Sequence, residues 1–134
     1  ATTQLITAKI HTEKNDFVVD CYNANPTSMK LSFDSFITSP FIKKGVILGD
    51  MLELGEYTNE EHMKITNHVF TVPLETRIFI GPLFGKALKD TSGEYTWFET
   101  IGEAKKWFDQ QDFTGITFLL KGSRGIQVEK ILDM

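Results

Sequence analysis

Three short segments of the sequence combine acidic, amide and basic side chains suited to binding nucleotides, phosphates or carboxylates. They are Asp20 to Asn25 (DCYNAN), Gly49 to Met51 (GDM) and Lys121 to Arg124 (KGSR). Asp20 can accept hydrogen bonds from a ribose hydroxyl or from metal-bound water, and Asn23 and Asn25 can donate to phosphate or purine nitrogens. Lys121 and Arg124 add positive charge, and a guanidinium can grip a carboxylate or phosphate through two hydrogen bonds. These segments therefore contain the candidate functional residues.

Each of these side chains also has a purely structural interpretation. Asn25 either meets a ligand or only caps the helix that Pro26 begins. Asp50 either takes part in chemistry or only ends a strand in a turn. Lys121 and Arg124 either meet a ligand or are solvated surface cations. The sequence by itself leaves these alternatives open.

Other chemically suggestive residues do not form a complete site of their own. His62 and His68 are six positions apart, which does not place them on one helical face, so we predict no metal site. The segment Gly81 to Ala87 (GPLFGKA) imitates a phosphate-binding loop, but it has three residues between its glycines where four are needed. It also has Ala87 where a magnesium-binding hydroxyl should stand. No GxSxG elbow surrounds a serine or Cys21, so we predict no catalytic nucleophile.

The composition is that of an ordinary globular domain. The 134 residues suit a single domain, with 41% hydrophobic and 24% charged residues. No apolar run approaches the roughly 20 residues that a membrane helix needs, and the N-terminus has no signal-peptide pattern. One cysteine excludes an internal disulfide, and the net charge of −4 argues against general binding of nucleic acids. We therefore predict a cytoplasmic globular protein that binds neither membrane nor nucleic acid.

Short β-rich runs alternate with amphipathic stretches along the chain. The predicted strands are Asp16–Tyr22, Lys44–Asp50, Arg77–Gly81, Tyr95–Phe98 and Gly115–Gly122, with Gln4–Ile10 pairing antiparallel beside the first. The predicted helices begin at Pro26 and cover Thr58–Val69, Leu83–Lys89, Gly102–Gln110 and Ile126–Leu132. Thr58 and Glu61 have the spacing of a capping box.

This alternation predicts an α/β fold, a doubly wound and mostly parallel sheet with helices on both faces. In such sheets ligands bind beyond the carboxyl ends of the strands. The three segments described above each follow a predicted strand. We therefore expect them to converge on one edge of the sheet.

Three strings of residues, in this order and with fitting separations, resemble the C-terminal domain of the Mur ligases. They are DCYNANPTSM (Asp20–Met29), LGDMLELGE (Leu48–Glu56) with His62 shortly after, and LLKGSRGIQVEKIL (Leu119–Leu132). Within that family they are similar to the branch that adds D-alanyl-D-alanine. The resemblance extends from about Phe17 to the C-terminus. Val19 stands before Asp20 where many relatives have an acidic doublet, which weakens any role there that needs two carboxylates.

The resemblance implies a function that this chain does not perform alone. The family's enzymes have a domain that binds the UDP-sugar, a central ATPase domain with the phosphate-binding loop, and a C-terminal domain. ATP phosphorylates the carboxylate of UDP-MurNAc-tripeptide, and the amine of D-Ala-D-Ala then displaces phosphate. By this resemblance, residues 1–134 are the third domain excised from such an enzyme, which closes over ATP and helps to seat the dipeptide. ATP and Mg²⁺ would be bound mainly by the absent central domain.

The resemblance also implies which residues take part. On the nucleotide side these are Asp20, Tyr22, Asn23, Asn25 and Pro26; in the substrate or interface loops they are Asp50, Met51, Glu53, Leu54, Lys121, Ser123 and Arg124. A receiver-type phosphoacceptor domain is the alternative, since Asp20, Asp50 and Lys121 also fall at predicted strand ends. A relative that retained the fold only for protein interaction is a third hypothesis.

Overall fold

The computed structural model describes residues 8–20 and 24–133, and six strands of this part form one sheet. The strands are β1 (Ala8–His11), β2 (Asp16–Asp20), β3 (Lys44–Gly49), β4 (Thr76–Ile80), β5 (Thr96–Phe98) and β6 (Thr117–Lys121). Their order across the sheet is β1-β2-β6-β3-β4-β5. All neighbours are parallel except β1, which pairs antiparallel with β2 at one edge.

Helices cover both faces of this sheet. They are α1 (Pro26–Thr38), α2 (Thr58–Val69), α3 (Pro82–Ala87) and α4 (Ile101–Phe108), with 3₁₀ turns at Gly55–Tyr57, Arg124–Ile126 and Val128–Leu132. Phe33, Val69 and Phe84 bring α1, α2 and α3 onto one face, where they pack with Leu48 of β3. On the other face, α4 and the last 3₁₀ turn pack in a second cluster that includes Ile47 of β3. The predicted doubly wound fold is confirmed.

The central strand β3 shows why the sequence predicted this layering. Val46, Ile47 and Leu48 are all fully buried, because successive side chains point to opposite faces and helices cover both. An apolar run without alternation is typical of such a strand. None of the described helices combines the length and the apolar composition that crossing a bilayer requires.

Two predictions about local structure are wrong, and a third is confirmed in its described part. The capping box at Thr58 is wrong: the 3₁₀ turn Gly55–Tyr57 runs directly into α2, and the hydroxyl of Thr58 donates to the carbonyl of Gly55 at 2.6 Å. The last predicted helix is instead a 3₁₀ turn, preceded by Gln127 in the left-handed conformation with φ of 59°. The antiparallel first strand is confirmed from Ala8 onward, while residues 4–7 and 21–22 of the predicted strands lie outside the described residues.

Candidate functional site at the carboxyl edge of the sheet

The carboxyl ends of β2, β6 and β3 lie side by side. In the strand register, Lys121 at the end of β6 is paired with Asp20 of β2 on one side and Leu48 of β3 on the other. These three strands therefore end at the same edge of the sheet, as predicted. We call it the carboxyl edge. Tyr22 and Asn23, which were predicted to bind nucleotide, lie outside the described residues.

Asp20 and Lys121 form a buried ion pair at this edge. The Nζ atom of Lys121 lies 3.1 Å from Oδ2 of Asp20, and the two residues are only 0% and 2% exposed, respectively. The hydroxyl of Ser32 on α1 donates to the same oxygen, whereas Oδ1 of Asp20 is buried and has no hydrogen-bond partner within residues 8–20 and 24–133. Buried charges need such pairing because leaving water is costly for each ion. The interpretation of Lys121 as a solvated surface cation is therefore wrong.

Asp50 caps the N-terminus of α3. Its Oδ2 accepts the amide hydrogen of Leu83 at 2.9 Å and its Oδ1 that of Phe84 at 2.8 Å. Burial raises the pKa of the fully buried Asp50 carboxyl, while these two amide bonds and His62 act in the opposite direction. The amides that a phosphate-binding loop would direct at its ligand are thus occupied by a carboxylate. The same burial gives no support to the receiver-type alternative, which needs an accessible Asp50.

Two glycines allow the strand ends to approach each other at this edge. Gly81 has φ of 121°, and a Cβ atom there would lie 2.2 Å from Cγ of Asp50. A Cβ atom on Gly122 would lie 2.9 Å from Cα of Gly49. Both positions need a residue without a side chain, since any Cβ would displace the neighbouring strand end or the cap of α3.

The loop after β3 is fixed at three consecutive backbone amides, each bonded to a different element. The amide of Asp50 donates to the carbonyl of Ile80 at 3.0 Å, and that of Met51 donates to Nε2 of His62 at 3.0 Å. The amide of Leu52 donates to Oγ of Ser123 at 2.8 Å. In return, the amide of Ser123 donates to the carbonyl of Asp50 at 3.0 Å. The loops after β3 and β6 therefore form one unit.

His62 is the functional candidate that sequence analysis missed. Its side chain is fully buried on α2, and its Nδ1 lies 2.6 Å from the carbonyl of Thr58. Since Nε2 accepts from Met51, these partners require a neutral imidazole that carries its proton on Nδ1. Burial lowers the pKa of His62 and supports that neutral form. The resemblance includes His62 after the LGDMLELGE string, but the sequence does not show its contact with the amide of Met51, which lies 11 residues away.

The buried histidine makes stability depend on pH. Because the pKa of His62 lies below its usual 6.5 in the folded protein, the unfolded chain takes up the proton first. The contribution of His62 to the free energy of unfolding is therefore complete above pH 6.5 and is lost as the pH falls through the folded-state pKa. Asp50 acts with the opposite sign: its raised pKa favours the fold below pH 3.8, and that contribution disappears as the pH rises.

We expect the free energy of unfolding of the unchanged chain, relative to that of His62→Gln, to decrease between about pH 7 and about pH 5. Urea unfolding at a series of pH values measures both curves. Asn67→Gln, an exposed substitution on the same helix that changes no titratable group, serves as the control, with a curve like that of the unchanged chain. Parallel curves for the unchanged chain and His62→Gln would contradict the assignment of this pH dependence to His62.

Asn25 caps α1, as one of its two interpretations predicted. Its Oδ1 accepts the amide hydrogen of Ser28 at 2.9 Å, and Oγ of Ser28 accepts the amide hydrogen of Asn25 at 3.0 Å. Pro26 occupies the first helical turn, where its missing N–H costs nothing. The positive end of α1 is thereby held at the carboxyl edge. A role of Asn25 or Pro26 in nucleotide binding stays a prediction.

The remaining predicted residues divide into a buried and an exposed group. Asp20, Asp50, Met51 and Lys121 are buried, and Leu54 is half-buried against the core. Glu53 and Arg124 are exposed and Ser123 is partly exposed, and they are joined by Leu52, which is 39% exposed and was not predicted. Of these described residues, the second group presents side chains to a ligand or a neighbouring domain.

A magnesium ion fits poorly among these residues. Both oxygens of Asp50 already bind the amides of α3, and the positive charge of Lys121 beside Asp20 disfavours a cation at that carboxylate. Across residues 8–20 and 24–133, no three histidine, cysteine or acidic side chains are grouped so that they could hold a metal ion.

Comparison with known proteins relates this edge to a family. Residues 8–124 match the family model described as "Mur ligase, glutamate ligase domain". The chain is 30% identical to the UDP-N-acetylmuramoyl-tripeptide--D-alanyl-D-alanine ligase of Treponema pallidum over 120 residues, which cover 86% of this chain and 26% of that protein. A crystal structure of MurF from Acinetobacter baumannii superposes with a TM-score of 0.78 at 28% identity, covering 93% of this chain and 29% of that one.

A further structure, MurF ligase from Thermotoga maritima in complex with ADP, has the same fold. Its TM-score is 0.77 at 23% identity, and the match covers 99% of this chain and 30% of that chain. The chain thus spans less than a third of the length of the relatives it matches.

Proposed function

This chain belongs to the Mur ligase family, and from that premise we propose that it is the C-terminal domain of an ATP-dependent, amide-forming ligase. The reaction would join D-alanyl-D-alanine to UDP-MurNAc-tripeptide in peptidoglycan precursor synthesis and release ADP. The main support is the similarity to the Treponema pallidum ligase, whose name gives these two substrates, over 86% of the chain. Three strand ends that meet at one edge give such a domain a surface to close with.

The chain's part in this reaction is positioning. An acyl phosphate of the tripeptide is hydrolysed if water reaches it, so a domain that closes over it protects the intermediate. Closure also holds the amine of D-Ala-D-Ala beside the carbonyl carbon it attacks, and such orientation supplies several kcal/mol of barrier reduction. A rigid edge serves this purpose, and the hydrogen bonds among Asp50, Met51, Leu52 and Ser123 make the carboxyl edge rigid.

The predicted site residues take two kinds of role in this proposal. The buried Asp20, Asp50, Met51 and Lys121 hold the edge in shape, whereas Glu53, Ser123 and Arg124 meet the dipeptide or the adjacent domain, with Leu54 supporting their loop. On the nucleotide side, Asn25 and Pro26 place the positive end of α1 beside the phosphates, and Tyr22 and Asn23 contact the nucleotide.

The proposed partners follow from the same assignment. They are a central ATPase domain of the same polypeptide, D-Ala-D-Ala and UDP-MurNAc-tripeptide. Mg²⁺ would be bound with ATP by the central domain, because the buried carboxylates of this edge, Asp20 and Asp50, are ion-paired or hydrogen-bonded within the fold. The proposed location is the cytoplasm, where ATP is available.

An assay of ADP formation tests the proposed function. The chain is supplied with ATP, UDP-MurNAc-tripeptide and D-Ala-D-Ala, both alone and as a chimeric ligase. In the chimeric ligase, it replaces the matching segment of the Treponema pallidum enzyme. We expect no ADP from the chain alone and dipeptide-dependent ADP from the chimeric ligase. ADP formation by the chain alone would contradict its role as an accessory domain, and an inactive but folded chimeric ligase would contradict its membership of this branch.

A further inference from the structure

The backbone conformation of the loop Met51–Leu54 determines where its exposed side chains point. Glu53 has φ of 64°, in the left-handed region that residues other than glycine rarely adopt. Leu52 and Glu53 are both exposed, so their own side chains do little to hold this conformation. A strained residue persists only when its surroundings fix it. The contacts on either side of Glu53 therefore determine where the loop points.

One of those contacts depends on the charge state of a histidine. Nε2 of His62 accepts the amide hydrogen of Met51 at 3.0 Å, and a neutral imidazole can do so because that nitrogen has a lone pair. A protonated imidazole has two donors and no acceptor, so the bond would become a contact between two N–H groups. The loop would then lose its hydrogen bond at Met51, the residue directly before Leu52 and Glu53.

The surroundings of His62 fix its ring in place. Its centroid lies 4.7 Å from that of Phe84 on α3, in an edge-to-face contact. The charged neighbours are Asp50 from the end of β3 and Glu61 on the same helix, and both favour the protonated form. Burial outweighs them, and the pKa of His62 stays below its usual value. The imidazole is thus a fixed, neutral acceptor.

We infer that His62 is a positioning residue of the ligase: its neutral imidazole holds Met51 and thereby aims Leu52 and Glu53 at the second substrate. This inference rests on the proposed function, since it assigns the loop to D-Ala-D-Ala rather than to ATP. His62 contacts neither substrate; it acts through the backbone of Met51. The expected consequence is that loss of this acceptor impairs use of the dipeptide and leaves use of ATP unchanged.

Amide resonances of the 134-residue chain test the contact itself. By nuclear magnetic resonance, we expect the amide of Met51 to shift with pH together with the imidazole of His62. We also expect the Met51 amide to exchange with solvent at least about tenfold faster in His62→Phe, which keeps a ring but has no acceptor. His62→Gln retains a hydrogen-bond acceptor and a donor, so we expect its Met51 amide to exchange almost as slowly as in the unchanged chain. Ser123→Ala accelerates exchange at Leu52 instead, and His68→Gln on the same helix changes neither amide.

A kinetic comparison in the chimeric ligase tests the consequence. His62→Phe is expected to raise KM for D-Ala-D-Ala at least about fivefold with KM for ATP unchanged, and His62→Gln recovers most of the loss. A Met51 amide that does not follow the imidazole titration would overturn the inference, as would equal effects on both substrates. The titration uses the unchanged chain, so it decides the matter even if His62→Phe fails to fold. Inactivity of the unchanged chimeric ligase would contradict the proposed function alone, because the resonances of Met51 need no activity.

Discussion

Gly81→Ala is expected to lower the free energy of unfolding by about 3 kcal/mol or more. At φ of 121° a residue with a Cβ atom is strained, which alone costs on the order of 1–3 kcal/mol. The added carbon would also lie 2.2 Å from Cγ of Asp50 and 2.3 Å from Oδ2. Because Asp50 is fully buried, it cannot move into solvent, so the amides of Leu83 and Phe84 lose their acceptor.

Urea unfolding followed by circular dichroism measures this loss, and two other glycines separate its causes. Gly55 and Gly115 have φ of 61° and 74°, and a Cβ atom on either would meet nothing within 4 Å. Gly55→Ala and Gly115→Ala therefore carry only the backbone strain, about 1 kcal/mol each. If Gly81→Ala cost no more than these controls, the close packing of Asp50 against β4 would be contradicted.

Lys121→Met is the second substitution with a large expected effect, a loss of about 3–5 kcal/mol in the free energy of unfolding. Methionine fills nearly the same space, but it leaves the Asp20 carboxylate buried without its cation. The penalty arises from that unpaired charge more than from the lost attraction. Asp20 is ion-paired with Lys121, and among the described residues its Oδ1 has no hydrogen-bond partner.

A second substitution distinguishes this cause from a packing defect. Asp20→Asn combined with Lys121→Met removes both charges and should recover most of the stability, because a buried ion pair replaced as a whole costs little. Lys30→Met is the surface control: Lys30 lies 3.8 Å from Asp34 in an exposed pair, and its loss changes stability by about 0.5 kcal/mol or less. A double variant as unstable as Lys121→Met would contradict the role of the unpaired charge.

The sheet was predictable because its signals are local. Val46 to Leu48 and Phe118 to Leu120 are uninterrupted apolar runs, which are typical of strands buried on both faces. Asn25 and Pro26 mark the start of α1 in the same local way. The alternation of strands and helices also predicts a parallel sheet, in which the carboxyl ends of the strands lie at one edge. The convergence of the three segments could therefore be predicted.

The contacts within the edge could not be predicted, because they join residues distant in sequence. Asp50 caps a helix 33 residues further along the chain, and Leu52 is bound by Ser123 across 71 residues. The ion pair between Lys121 and Asp20 decides between the two interpretations of Lys121, and the sequence does not show that pair. The predicted capping box at Thr58 failed for a local reason, namely that the preceding 3₁₀ turn supplied the start of α2.

In the proposed ligase the carboxyl edge of the sheet faces the reacting partner, and charge reversal at opposite edges of the sheet tests this orientation. Glu53 is exposed beyond the end of β3, and Glu75 is exposed just before the start of β4. We measure kcat/KM for D-Ala-D-Ala in the chimeric ligase with Glu53→Lys or Glu75→Lys. Glu53→Lys is expected to lower it at least about tenfold and Glu75→Lys to change it by about twofold or less. Equal losses, or a larger loss from Glu75→Lys, would contradict the assignment of function to this edge.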